Sequence, residues 1–306
     1  MNIKVPQRMR SLCIKALCES MESRVMTHMI RDIFPDYDIH RRTGFPESLS
    51  IPNVDVATQI VRDIVQAGKF PNFVALLIRV QEEGYMGRKY PIAYLRQLVQ
   101  GTYSLGFVYD TVNRLFVEDS QVRQTRNWGV LEMGEEYTIA FLALDIAGNT
   151  ALVRTEDEKA VNQTYKDLRN IVKTAVHKRN GRIWNWEGDG GLAAFFFGNR
   201  HMNAVLCSME ILHEIFIYNR TRCPLTSLIK IRMGVHAGPC EYTDNEEQLK
   251  NMQTVKEVTA LEQASKNDTI TISIVSRLML EDIISRRFTS KGKGKNGPFS
   301  YSLVME

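Results

Sequence analysis

Residues 137–152 read YTIAFLALDIAGNTAL and contain the strongest indication of the fold of the C-terminal half of the chain. The first half of this stretch is a run of mostly apolar residues, which predicts a buried strand. The run ends at an aspartate, Asp145, and a glycine turn leads into a helix. Strands and helices alternate from here to the C-terminus, which predicts an α/β or α+β domain over residues 137–306.

A second stretch, RIWNWEGDGGLAAFFF at residues 182–197, has the pattern of a β-hairpin. Its central Asp-Gly supplies the positive φ that a tight turn requires, so Asp189 is predicted at the tip. Taken alone, Asp145 and Asp189 would be a strand-end residue and a turn residue. If the first strand lies beside the hairpin, their carboxylates converge and suit Mg²⁺, which takes oxygen ligands and bridges to substrate phosphates.

Five motifs in the same order resemble the catalytic domain of the class III adenylate and guanylate cyclases. LALDIAGNTAL and GDGGLAAF are similar to the two metal motifs of that family, and IRMGVHAGP to its R-x-G-x-H-x-G strand. ALEQASKNDTITIS and SKGKGK resemble the segment after its dimer face and its terminal K-G-K. The resemblance implies a ferredoxin-like α+β domain, with a mixed, mostly antiparallel sheet and flanking helices.

The resemblance also implies a metal site and a reaction. Two ions, Mg²⁺ or Mn²⁺, would be held by Asp145, Asp189 and the backbone carbonyl of Ile146. A ribose 3′-hydroxyl would attack the α-phosphate of a nucleoside triphosphate and expel pyrophosphate, giving a cyclic nucleotide for intracellular signalling. Family members form head-to-tail dimers with active sites between the subunits, so we expect a homodimer or a heterodimer.

Two further segments are predicted to contact the triphosphate. Backbone N–H groups of the turn Gly148-Asn149-Thr150 lie at the start of a predicted helix, where anions bind. Lys291 or Lys293, in the terminal motif, would approach the phosphates by resemblance. The alternative for these lysines is a solvated basic loop.

The partner face departs from the family pattern V-N-x-A-x-R-L. An ungapped alignment from Val255 places Lys256 at the Asn position and Ala260 at the Arg position, and a shifted one that places Thr259 at the Asn position recovers no arginine. Lys256 could supply a point charge to the transition state, or be an ordinary exposed helix lysine. At the base-selecting position, Asn185 can donate and accept hydrogen bonds and fits several bases.

These departures leave three readings of the C-terminal domain open. The chain could be an active cyclase that uses ATP, GTP or a pyrimidine triphosphate. It could be a degenerate cyclase that acts as a nucleotide sensor or an interaction scaffold. It could also be one half of a heterodimer whose other chain brings the missing Asn and Arg.

The N-terminal part has a different pattern. Apolar residues four apart over residues 8–34 predict one long amphipathic helix, and further helical segments complete a small all-α bundle over residues 1–102. The segment IVRDIVQAGKFPNFVALLIRVQEE resembles effector-associated or bacterial death-like adaptor domains, which implies an adaptor-domain protein as partner. The alternative is a bundle that only packs on or dimerises the cyclase. Residues 103–136 are predicted to be a connector.

Composition argues against nucleic-acid binding, disulfide bonds and a membrane-spanning segment. Lys and Arg number 39 against 35 Asp and Glu, a balance without the concentrated basic charge that nucleic-acid binding requires. The five cysteines show no C-x-x-C spacing, and the start of the sequence has no apolar signal core, so we expect free thiols in the cytoplasm. No run approaches the roughly 18 to 20 apolar residues that would span a membrane.

Overall fold

A helical bundle forms the first of two units, Met1–Arg123, of this computed structural model, which describes residues 4–290 and 297–303. Its apolar core extends from Val5 to Phe116. A short hairpin, in the range predicted as connector, belongs to the same unit. The elements are α1 Gln7–Ser20, α2 Ser23–Met29, a 3₁₀ turn Ile30–Asp32, α3 Ile39–Thr43, α4 Asn53–Gln66, α5 Phe70–Glu83, α6 Leu95–Ser104, β1 Phe107–Asp110 and β2 Leu115–Glu118.

The predicted single helix over residues 8–34 is wrong, because the chain breaks between α1 and α2. Met21 is extended and buried at the break. The side chain of Asn53 accepts from the backbone N–H of Ser23 at 2.7 Å and donates to the carbonyl of Met21 at 3.3 Å. A distant residue thus satisfies the backbone groups that the break releases, which no local periodicity could indicate.

The second unit, Gln124–Glu306, contains a seven-stranded sheet with helices packed against it. The strand order is β4-β5-β3-β6-β7-β9-β8, and β6 pairs parallel with β7 while the other pairs are antiparallel. The elements are β3 Glu136–Ile146, α7 Asn149–Thr155, α8 Glu158–Lys178, β4 Arg182–Glu187, β5 Gly190–Phe195, α9 Arg200–Thr221, β6 Ile231–Glu241, α10 Glu246–Asn251, α11 Gln253–Gln263, β7 Thr269–Ile272, α12 Ile274–Leu278, α13 Asp282–Ser285, β8 Thr289–Ser290 and β9 Phe299–Ser302.

The predicted fold class is confirmed. The elements from β3 to β6 follow a β-α-β-β-α-β order with β3 and β5 central, which is the ferredoxin-like arrangement. Apolar residues of β3, α8 and α9, among them Leu142, Leu168 and Ile211, form the core on one face of the sheet. This buried β3 fixes the position of the aspartate at its end.

Two further predictions concern membrane-spanning helices and the two lysines of the terminal motif. Among the described residues, no helix combines the length and the apolar character that crossing a bilayer requires. Lys291 and Lys293, predicted near the phosphates, lie outside the described residues.

Candidate active site

Asp145 and Asp189 lie side by side at one end of the sheet. β3 and β5 pair antiparallel with Leu144 opposite Gly191, so the end of β3 meets the β4–β5 turn. Both aspartates line a cavity of about 390 Å³. Burial, and next the negative charge of Asp145, raise the pKa of Asp189 above its ordinary value. The structure therefore brings together the two carboxylates that the sequence singled out.

Close backbone contact between β3 and the hairpin holds this pair in place. A Cβ atom on Gly190 would lie 2.5 Å from the carbonyl oxygen of Leu144 and 3.0 Å from Oδ1 of Asp145. Gly188, in the turn itself, has φ of +56°, the left-handed region that glycine favours. The glycines of the second motif thus permit both the turn and the approach of the two strands.

Arg232 and Glu262 complete the charged group, and the sequence motifs predicted a role for neither residue. Arg232 stands opposite Asp145 in the β3–β6 ladder, and its Nη2 lies 2.7 Å from Oδ2 of Asp145. Its Nε lies 3.2 Å from Oε1 of Glu262 on α11. The motif IRMGVHAGP contained the arginine, but only the strand register shows which carboxylate it meets.

Glu262 is a buried acid near two other acids. Burial raises its pKa to about 7, and Asp145 and Asp189 contribute in the same direction while Arg232 opposes the shift. Three carboxyl groups therefore share one guanidinium at this end of the sheet. Asp145 and Asp189 alone outnumber the guanidinium, and this excess of negative charge favours binding of a cation.

The carboxylates fit an open metal site rather than a closed one. Within residues 4–290 and 297–303, no group of three or more His, Cys, Asp or Glu side chains is arranged to hold a metal ion. Mg²⁺ is commonly held by one or two carboxylates, with water and substrate phosphates as the other ligands. Asp145 and Asp189 fit that pattern. Ile146, the third predicted contact, is the last residue of β3 and follows Asp145 directly.

The predicted phosphate turn lies close to the carboxylates. Gly148 has φ of +75° and precedes the first residue of α7, Asn149, with Thr150 next. Oδ1 of Asn149 accepts a hydrogen bond of 2.5 Å from the hydroxyl of Tyr165. Burial raises the pKa of Tyr165, Asn149 opposes that shift, and the charges of Asp189 and Asp145 add to it. Tyr165 thus connects the turn electrostatically to the aspartate pair.

Asn185 and Lys256 differ in their relation to the cavity. Asn185 lines it and donates a 3.0 Å hydrogen bond to Glu187, which also pairs with Lys250 at 2.7 Å. Lys256 is exposed on α11. The α11 residues that line the cavity are Val255, Thr259, Glu262 and Gln263.

Comparisons with known proteins address the cyclase resemblance. No family profile matches the chain, and no curated protein matches it. Among solved structures, it is similar to the adenylate/guanylate cyclase/hydrolase from Silicibacter pomeroyi, with 22% identity, a TM-score of 0.46, and coverage of 56% of this chain and 99% of that one. It is similar to the adenylyl cyclase CyaB from P. aeruginosa, with 19% identity, a TM-score of 0.46, and coverage of 56% and 96%.

A third similar structure is the guanylate cyclase domain of RhGC from Catenaria anguillulae, in complex with GTP. Its identity is 19%, its TM-score is 0.43, and the match covers 55% of this chain and 96% of that one.

Proposed function

We propose that the C-terminal unit is a nucleotidyl cyclase, which converts a nucleoside triphosphate into a 3′,5′-cyclic nucleotide and pyrophosphate. The observation that carries this proposal is the pairing of Asp145 with Asp189 at the cavity between β3, the β4–β5 turn and α11. The order of the five motifs supports the same reaction. In it, the 3′-oxygen forms a bond to the α-phosphorus, and the bond from that phosphorus to the α,β-bridging oxygen breaks. The bridging oxygen leaves with pyrophosphate, and the hydroxyl proton passes to solvent.

The residues of the cavity have separate roles in this proposal. Asp145 and Asp189, with the carbonyl of Ile146, hold Mg²⁺ or Mn²⁺, and these ions supply the activation of the 3′-hydroxyl and the neutralisation of phosphate charge. Arg232 orients Asp145 through the 2.7 Å contact and limits the repulsion among the carboxylates. Gly148, Asn149 and Thr150 receive the phosphates, together with Lys291 or Lys293, and Asn185 contacts the base.

The proposal includes a dimer. Lys256 is exposed on α11 while its neighbour Val255 lines the cavity of the same chain. This position suits a residue that is presented to a second subunit, where its charge would act on the transferring phosphate. In a variant of this proposal the dimer is a heterodimer. The other chain would then supply the Asn and Arg that Lys256 and Ala260 replace in this chain.

The proposal also names a cellular compartment and a protein partner. The five cysteines are free, which fits a reducing cytoplasm where nucleoside triphosphates are available. The helices of the first unit are proposed to bind an adaptor-domain protein, by their resemblance to effector-associated domains.

The test is turnover by the purified full chain with Mn²⁺ and each of the four nucleoside triphosphates. We expect cyclic product and pyrophosphate from at least one of them. Asp145→Asn and Asp189→Asn should each lower the rate by at least about a hundredfold, since even residues behind metal ligands commonly cost 10- to 100-fold. Asp282→Asn, at an exposed aspartate on α13, is the matched control and should leave the rate unchanged.

The second candidate is a nucleotide sensor, favoured by the replacement of the family's Asn and Arg by Lys256 and Ala260. Thermal stabilisation by a nucleoside triphosphate without turnover would support the sensor. Product that survives both aspartate substitutions would contradict the cyclase site.

A further inference from the structure

The first unit contains a second cavity, of about 500 Å³, with a basic rim and an apolar floor. Arg24, His28 and Arg31 supply one wall, on α2 and the 3₁₀ turn that follows it. Their spacing of four and three residues places them along one side of this helical segment. The buried side chains of Ile39, Ile51 and Val56 line the cavity as well. The cavity is within the size range of small-molecule sites.

The two arginines are available for a ligand. Among the described residues, neither Arg24 nor Arg31 takes part in an ion pair with a carboxylate; the nearby Asp32 pairs with Arg79 at 2.5 Å instead. Nε of Arg31 donates to the carbonyl of Tyr37 at 3.2 Å, which orients the guanidinium. Its two terminal nitrogens can then donate to a ligand. A preorganised guanidinium of this kind suits a planar or tetrahedral oxyanion.

One acid, Asp38, lines the cavity together with the two arginines. Oδ1 of Asp38 accepts from the backbone N–H groups of His40 and Arg41 at 3.0 and 3.2 Å, so this carboxylate caps α3. Two guanidinium groups therefore face a single carboxylate that is already hydrogen-bonded. The two arginines outnumber the one acid among the lining residues, so the cavity keeps an excess of positive charge.

Two histidines, His28 and His40, also line the cavity. Nδ1 of His40 lies 3.3 Å from the carbonyl of Phe45, and since a carbonyl only accepts, Nδ1 carries the proton. Nδ1 of His28 lies 3.0 Å from the hydroxyl of Tyr85, and that hydroxyl is directed to Asp32 at 3.4 Å. Among the described residues, no hydrogen bond reaches Nε2 of either ring, so this atom can accept one from a protonated phosphate oxygen.

We propose that this cavity binds a small phosphate-bearing anion, either a phosphate monoester such as a nucleoside monophosphate or the free phosphate ion. The two arginines and two histidines contact the phosphate oxygens, and the apolar floor accepts the ring of an ester. The site is independent of the proposed cyclase reaction, because it is built from residues of the first unit alone.

The test is calorimetric binding of inorganic phosphate, AMP and adenosine to the full chain, in EDTA so that no divalent cation is present. We expect phosphate and AMP to bind and adenosine to fail. Tighter binding of AMP identifies the ester as ligand, and equal affinities identify the free ion. Arg24→Gln with Arg31→Gln should weaken binding by about a hundredfold, since each charge-assisted bond contributes about tenfold or more.

Two controls make the result specific. Arg62→Gln with Arg96→Gln removes the same charge from α4 and α6, away from the cavity, and should leave the affinity unchanged. Arg24→Gln alone, which breaks no hydrogen bond in the part of the chain that the structure describes, should still weaken binding about tenfold. The proposal is overturned if neither anion binds, if both double variants weaken binding equally, or if Asp145→Asn with Asp189→Asn abolishes it.

Discussion

At the residue scale, the charges around Arg232 help to determine the pKa values of the acids beside it. One guanidinium contacts Asp145 at 2.7 Å and Glu262 at 3.2 Å, with Asp189 close by. For Glu262, burial outweighs the attraction of Arg232, and the pKa rises to about 7. This acid therefore loses its proton at a higher pH than an ordinary glutamate does.

We predict that Glu262→Gln stabilises the protein at pH 8. An acid whose folded pKa is about 7 binds its proton more tightly than in the unfolded chain, where the ordinary value is 4.5. Stability is then lost as the pH rises from about 4.5 to 7, and the full penalty applies above 7. Removing it should raise the free energy of unfolding at pH 8 by on the order of 3 kcal/mol.

The measurement is urea unfolding of both proteins in EDTA at pH 5 and pH 8. The gain should shrink toward pH 5, where less of the penalty applies. Glu241→Gln, at an exposed glutamate of β6, should show no such difference between the two pH values. A gain for Glu262→Gln that is equal at both pH values would contradict the assignment.

At the scale of elements, the sequence predicted what depends on local pattern and missed what depends on register. The strand ending at Asp145 and the hairpin with Asp189 at its turn follow from apolar runs and turn residues, and both are present. The contact between Arg232 and Asp145 depends on which residues of β3 and β6 stand opposite each other. These two residues are 87 positions apart in the sequence, and neither strand by itself predicts the register in which they pair.

Gly190 tests how closely the hairpin must approach β3. Its alanine variant would place Cβ 2.5 Å from the carbonyl oxygen of Leu144, so backbone must shift and Asp145 with it. We predict a loss of about 1 to 3 kcal/mol in unfolding free energy. We also predict about a hundredfold lower cyclase activity, since small displacements of reacting groups have effects of that size.

The control for Gly190→Ala is Gly134→Ala. Gly134 has φ of +82° with open space around its Cβ position, so alanine there adds backbone strain of about 1 to 2 kcal/mol without a clash. Unfolding in denaturant and turnover are measured for both variants. Equal loss of activity in the two would show that reduced stability, not displacement of Asp145, is the cause.

At the scale of the whole molecule, each unit has a core of its own. One extends over Val5–Phe116 and the other over Ala140–Phe299. The border at Arg123 and Gln124 falls inside the segment 103–136 that was predicted as a connector. The apolar residues of this segment follow no regular spacing, because single buried side chains such as Trp128, and not one continuous apolar face, pack into the core.

Trp128 makes the position of this border testable. The side chain is fully buried, packs against Trp184, Phe196 and Phe197, and donates a 2.6 Å hydrogen bond to the carbonyl of Asn180. We predict that a fragment of residues 124–306 unfolds cooperatively by itself. A fragment of residues 137–306 lacks the indole and should lose about 3 to 5 kcal/mol, the usual cost of emptying a large aromatic site.

Chemical unfolding followed by circular dichroism compares the two fragments, and Trp128→Ala in the longer one separates the indole from the rest of the segment. If the indole is the anchor, this variant should lose most of the stability that the shorter fragment loses. Equal stability of the two fragments would instead place the border of the folding unit at residue 137, where the strand pattern begins, and residues 124–136 would then be a connector in energetic terms.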